Sequence, residues 1–368
     1  MLLPCRPRHA AGCLLLVVTL LAILSCAAAA RPAPAHGRHD GAGWHAFKRL
    51  QDARRGSRVT GLGELKRYLA KFGYMPADAG AEHGGEPTDA FDEHLEAAVK
   101  RYQTRLSLPV SGRLDAATLD QIMSPRCGVE DDHGASVSPE HGGVGVVSRF
   151  TFFKGEPRWT RRSNPIVLTY AVSPKATVSY LTRDDVRAVF RRAFQRWALV
   201  IPVSFVETED YDAADIRLGF YKGSHGDGVP FDGPLGVLGH AFSPKNGRLH
   251  LDASEQWALD FGDGTETPES IHLESVATHE IGHVLGLGHS TSPKAVMYPS
   301  IKPLQKKADL TVDDVEGVQL LYGSNPDFRL SSLYNELDTS MSSERSSWVA
   351  ASARLVVGAV LIILVTHL

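Results

Sequence analysis

Residues 279–289 read H-E-I-G-H-V-L-G-L-G-H, and the architecture of the chain is decided there. His279 and His283 are four residues apart, so on a helix they share one face and their imidazoles converge on a single metal ion. Gly286 can take the left-handed conformation that ends a helix, which lets His289 swing back as a third ligand. Three neutral nitrogens would hold a zinc with its fourth position open, the mark of a catalytic rather than a structural ion. A water in that position has its pKa drawn toward neutrality, and Glu280, beside the first ligand, is placed to take its proton.

Met297 follows in a tight A-V-M-Y-P segment, and Ser290 stands directly after the third histidine. With these additions the pattern resembles the metzincin metalloproteases, and within them it is similar to the matrixin branch, the matrix metalloproteinases. The resemblance implies a zinc-dependent endopeptidase of the α+β (α/β-like) metzincin fold. Its parts would be a twisted, mostly parallel five-stranded sheet with three helices, preceded by a small all-α three-helix propeptide domain. It also implies Met297 as the Met-turn residue beneath the ligands, a role compatible with a plain core methionine.

The rest of the chain bounds this reading. At 368 residues with 43% hydrophobic content there is room for two or three domains and a sizeable core. A net charge of −3 without a basic stripe argues against nucleic acid as a partner. Residues 1–30 read as a secretory signal peptide, with Arg6 and Arg8, an apolar run from Leu14 to Leu24 and small residues at the cleavage point. A Ser-rich linker, 325–347, leads into an apolar tail, 348–368, the pattern of a GPI-anchor signal. The alternative is a single span from about Trp348, which would bury Arg354 at a cost of about 3 kcal/mol. The expected location is the extracellular face of the plasma membrane, as a monomer with extracellular protein or peptide substrates. Of four cysteines, Cys5, Cys13 and Cys26 fall in the signal, which leaves Cys127 as a lone thiol in an oxidising compartment.

Residues 31–149 are expected to form the propeptide. Helical spacing appears in Leu62, Leu65, Tyr68, Leu69 and Phe72, in Phe91, Leu95, Ala98, Val99 and Tyr102, and in Leu114, Thr118, Leu119 and Ile122. The segment 58–123 is similar to the peptidoglycan-binding-like fold that serves as the matrixin propeptide; a module that keeps a glycan ligand is the competing reading. Residues 125–131 read P-R-C-G-V-E-D and resemble the matrixin cysteine switch. There Cys127 would fill the open zinc position while Arg126 and Asp131 pair to hold the loop. A soft anionic sulfur is a better zinc ligand than water. Residues 132–149 form a Gly- and Ser-rich linker suited to an activating cut.

The catalytic domain is expected over 150–324. Ile166–Val172 alternates as a strand, Thr182 caps a helix with an apolar stripe from Val186 to Trp197, and strands follow at 203–208, 216–221 and 235–242. His225, Asp227, His240 and His250 supply four ligands with no spare position, the closed set of a structural zinc. Asp232, Asp252 and Glu255, with the carbonyls of Gly233, Leu235 and Val237, suit a hard calcium ion, and Asp215 is a candidate for a second. The resemblance assigns the same roles, so the expected cofactors are two Zn2+ and at least one Ca2+. It places Leu238 and Gly239 on an edge strand that holds substrate, and Pro299, Ser300 and Ile301 on the wall of the pocket for the residue after the scissile bond. It further implies that Asp314 receives the new N-terminal amine after activation; by itself an acidic residue there would stabilise the helix dipole. No hemopexin-like repeat follows, which makes the plant-type matrixins the nearest likeness. The rival is a catalytically silent or glycan-binding surface module.

Overall fold

The computed structural model describes residues 42–76, 86–131 and 149–329, apart from 162, 164 and 263. The expected signal peptide, residues 132–148 of the linker and everything from 330 onward lie outside the described residues.

The helical region begins with a short helical lead-in, Ala42–His45, which runs into a 3-10 turn, Ala46–Leu50. Three helices follow: α1 (Leu62–Lys71), α2 (Glu93–Arg105) and α3 (Ala116–Ile122). Asp92 caps α2 by accepting from Leu95 N–H at 2.8 Å, and Asp115 caps α3 by accepting from Thr118 N–H at 3.0 Å. Each cap satisfies a donor that the first turn leaves orphaned. The residues expected at helix spacing are buried together, joined by Trp44, Phe47 and Leu50. Phe231, Val237 and Tyr298, distant in sequence, close the same core.

In the second region α4 (Arg183–Val200) carries the expected stripe, and Thr182 accepts from Asp185 N–H at 3.1 Å to cap it. Trp197 is fully buried and donates its indole N–H to Thr278 O at 2.9 Å, fastening α4 to α5 (Leu273–Val284). Truncating such a side chain to alanine costs about 3–5 kcal/mol. The last helix, α6 (Val312–Tyr322), starts with a full capping box between Thr311 and Asp314.

The strands are β1 (Arg126–Cys127), β2 (Ile166–Val172), β3 (Val203–Glu207), β4 (Ile216–Tyr221), β5 (Val237–Ala241) and β6 (Arg248–Asp252). They form one sheet in the order β1-β5-β6-β4-β2-β3, parallel throughout except for the antiparallel β5–β6 pair. A small parallel pair, β7 (Trp257–Ala258) and β8 (Ile271–His272), precedes α5. Five strands were expected, and the sixth is the Arg126–Cys127 segment itself. Arg126 N–H donates to Gly236 O at 3.0 Å and Gly128 N–H to Gly239 O at 2.8 Å, so backbone carbonyls on the edge of β5 and just before it are satisfied by the segment.

Candidate active site

α5 is buried over its whole length and carries both helix-borne histidines. It ends where Gly286 adopts φ +106°, a conformation that a side chain resists, and an added Cβ would strike Pro157 O. That turn returns the chain so that His289 faces the pair. His279 Nε2 lies 3.1 Å from His283 Nε2, which lies 3.2 Å from His289 Nε2. Gly282 lets the Met297 sulfur approach so closely beneath the ligands that a Cβ would clash with it.

Backbone contacts fix the tautomers. His279 Nδ1 contacts Val296 O at 2.7 Å and His283 Nδ1 contacts Leu287 O at 2.8 Å. A carbonyl can only accept, so each Nδ1 carries the proton and each Nε2 presents a lone pair. Burial holds the His279 imidazole well below its usual pKa and the His289 imidazole down to about 3. Neutral lone pairs 3.1 Å apart repel one another unless a cation stands between them, and these donors fit zinc. Both carboxylate oxygens of Glu280 are buried, with the Cys127 thiol against them but outside good hydrogen-bond geometry, and burial pushes the pKa up to about 8.

Cys127 completes this cluster, its Sγ 3.3 Å from His283 Nε2. Burial and the neighbouring Glu280 push the thiol pKa up, a sign that a bound divalent cation would reverse. The segment is clamped from both sides of a cleft. Besides its bonds to β5, Cys127 N–H donates to Pro299 O at 2.8 Å and Ile301 N–H donates to Pro125 O at 3.2 Å. Arg126 and Asp131 pair as expected, at 2.6 Å and fully buried. Sequence reasoning missed the housing of that pair. The Arg126 guanidinium sits 3.5 Å over the Phe72 ring, and Tyr74 OH donates to Asp131 Oδ2 at 2.6 Å. Asp131 also stands 2.7 Å from His289 Nδ1, bent from the N–H direction. Burial opposes ionisation of Asp131, but Arg126 and His289 outweigh it and hold the carboxyl well below the usual range.

The second cluster gathers His225, Asp227, His240 and His250. Asp227 Oδ2 lies 2.8 Å from His225 Nε2, 2.7 Å from His240 Nε2 and 2.8 Å from His250 Nδ1. His225 Nδ1 contacts Gly223 O at 2.9 Å, so its Nε2 lone pair faces an anionic oxygen. That arrangement also fits a cation at the centre. In the adjoining loop Leu235, at φ +60°, donates its N–H to Glu255 Oε1 at 2.9 Å, and Asp252 and Glu255 are buried. Burial raises the pKa of both, Glu255 to about 8, with Asp252 and Asp232 adding to it. Acidic groups so crowded fit a calcium ion.

Two expected roles meet competing contacts. Asp215 is engaged by the Arg161 guanidinium and accepts from Thr169 N–H at 2.9 Å and Thr169 Oγ1 at 3.1 Å, donors with which a second calcium would compete. Asp314 is fully buried and accepts from Val296 N–H and Met297 N–H at 3.0 Å each, and from Thr311 N–H at 2.8 Å. Its carboxylate is committed to the turn that carries Met297. Asp313, which accepts from Ser290 Oγ at 2.6 Å, is only partly buried.

Beside Cys127, His279 and Glu280 opens a pocket lined by Leu238, Pro299, Ser300 and Ile301, as expected, and also by Lys307, which was not. Gly239 borders the same space from β5, where an added Cβ would lie 3.3 Å from Glu280 Oε1.

Comparison with known proteins agrees with this geometry. The sequence model of the matrixin family matches residues 158–323, and that of a peptidoglycan binding domain matches 58–122. The chain is 51% identical to Metalloendoproteinase 1-MMP of Arabidopsis thaliana over 297 residues, covering 80% of this chain and 78% of the relative. It is 41% identical to Metalloendoproteinase 1 of Glycine max, covering 84% and 97%. Neutrophil collagenase of Homo sapiens is 35% identical, covering 71% of this chain and 50% of the relative.

Proposed function

The chain belongs to the matrixin family of zinc-dependent metalloendopeptidases, and from that premise we propose that it is made as a secreted zymogen. In this reading Cys127 silences the site until residues up to about 149 are removed, and a GPI anchor holds the enzyme on the cell surface. The sequences behind secretion and anchoring lie outside the described residues, and among the described residues no helix is long and apolar enough to cross a membrane.

Matrixins use a catalytic and a structural zinc together with calcium. His279, His283 and His289 would hold the catalytic ion, His225, Asp227, His240 and His250 the structural one, and Asp232, Asp252 and Glu255 the calcium with loop carbonyls. Bound zinc supplies Lewis acidity and a nucleophile active at neutral pH. Glu280 accepts the proton of the attacking water and delivers it to the leaving amine; bound zinc would offset the burial that raises its pKa and so keep it ionised for the first transfer. Once the β1 segment has left, the edge of β5 holds the substrate backbone as an added strand. The pocket beside Glu280 takes the side chain after the scissile bond.

The observation that carries the latent state is Cys127 Sγ, 3.3 Å from His283 Nε2, on a segment hydrogen-bonded to both walls of the cleft. Replacing Cys127 with Ser tests it on the uncleaved chain. Serine removes the soft ligand with little change in shape, so a quenched peptide should be hydrolysed by C127S without prior processing. A C127S precursor as silent as the wild type would sink the switch while leaving the peptidase assignment intact.

A further inference from the structure

Two arginines stand side by side on one face of the sheet. Arg217 on β4 and Arg248 on β6 are direct partners in the parallel register, so their side chains leave the sheet on the same face. Both are half-buried. The Arg248 guanidinium lies 4.0 Å from the centre of the Phe242 ring and its Nε donates to Asn246 Oδ1 at 2.8 Å. These contacts fix the group without bringing a negative charge to it. No side-chain nitrogen of Arg217 has a hydrogen-bond acceptor among the described residues, and its Nε is buried. Asp215, two residues before Arg217, is turned instead to Arg161 and Thr169 N–H. Like charges directly opposite one another destabilise a sheet, and partial burial strengthens the repulsion.

Two phenols adjoin the pair. An added Cβ on Gly219 would lie 3.0 Å from Tyr221 OH, so Tyr221 folds back along β4 toward Arg217. Tyr211 OH lies 3.3 Å from Tyr221 OH. Burial raises the Tyr211 pKa and the Arg217 charge opposes it, which sets the guanidinium beside that phenol. Within the phenol pair one hydroxyl donates to the other, and the second O–H is left to donate elsewhere.

We propose that Arg217, Arg248 and the tyrosine pair form a binding site for an oxyanion, the carboxylate or sulfate group of a ligand that the hydrolysis itself does not use. Guanidinium forks match both groups in two-point fashion, and an anion between them replaces repulsion with charge-assisted hydrogen bonds. The free phenol O–H supplies a further donor.

The test uses the zinc- and calcium-loaded full chain at constant ionic strength, with sodium sulfate or sodium acetate exchanged for sodium chloride. Calorimetric titration of the wild type should show saturable binding with a Kd on the order of 1 mM. Saturation by acetate as well as sulfate assigns the site to carboxylates too, whereas sulfate alone restricts it to tetrahedral anions. Arg217→Gln and Arg248→Gln should each weaken binding by at least about tenfold, the effect of losing a hydrogen bond between charged groups. A wild type that saturates with neither anion would overturn the proposal, a result that needs no folded variant. So would R217Q and R248Q chains with intact circular dichroism that bind sulfate as the wild type does.

Discussion

Replacing Tyr74 with Phe should loosen the latent state without touching a metal ligand. Tyr74 OH donates to Asp131 Oδ2 at 2.6 Å in a fully buried site, and Asp131 in turn holds Arg126 and faces His289. Removing a hydrogen bond to a buried charge costs about 1.5–3 kcal/mol. Taking about 2 kcal/mol, the fraction of molecules whose switch segment is transiently undocked rises about thirtyfold. Cys127, only 4% exposed when docked, reacts from the undocked form. The assay is the rate at which iodoacetamide labels Cys127 in the zinc-loaded precursor, followed by mass spectrometry of its peptide. Y74F should label about thirty times faster than wild type. Tyr102→Phe is the control, because its hydroxyl makes only a 3.5 Å contact with Tyr68 OH in the same aromatic cluster. If Y74F and Y102F label at equal rates, or Y74F matches the wild type while circular dichroism shows an intact fold, the clamp does not govern the switch.

Calcium should release protons near neutral pH. Glu255 has its pKa raised to about 8, so without calcium it carries a proton at pH 7 and must lose it to become a ligand. Calorimetry in buffers of different ionisation enthalpy should register that release, and buffer-independent heats would contradict it. Stability follows the same sign: a raised folded pKa means the calcium-free fold loses stability as pH rises from about 4.3 toward 8. Saturating calcium should flatten the Tm profile over that range. Gly282→Ala pushes a methyl group into Met297 and Trp197, and overpacking of this kind costs about 1–3 kcal/mol. Its midpoint in urea should drop accordingly; a wild-type midpoint would show that Met297 moves aside freely.

How much could be read in advance followed sequence distance. The three histidines and Glu280 lie within eleven residues, 279–289, so helix periodicity and one glycine determine their convergence. The helices around Leu65, Leu95 and Leu119 were legible for the same reason: each buries a stripe that repeats at helical spacing. Arg126 and Asp131, five apart, were paired correctly, whereas Tyr74, 57 residues from Asp131, leaves no local trace of its contact. Lys307 likewise meets the pocket through a fold of the chain that no periodicity encodes. Adjacent Asp313 and Asp314 look alike as letters. Helix geometry turns Asp314 inward onto the Met297 backbone and leaves Asp313 only partly buried against Ser290. The contact between Asp215 and Arg161, 54 residues apart, is hidden from the sequence for the same reason as that of Tyr74.

Glu280 moves the proton in the zinc-dependent peptide hydrolysis proposed above. The most direct test of that role is Glu280→Gln, nearly the same in shape but unable to accept a proton, assayed after activation alongside metal analysis. Two zinc ions per chain are expected, as in the wild type, with kcat/KM lower by about a hundredfold to ten-thousandfold. Full metal content with activity within tenfold of wild type would contradict it.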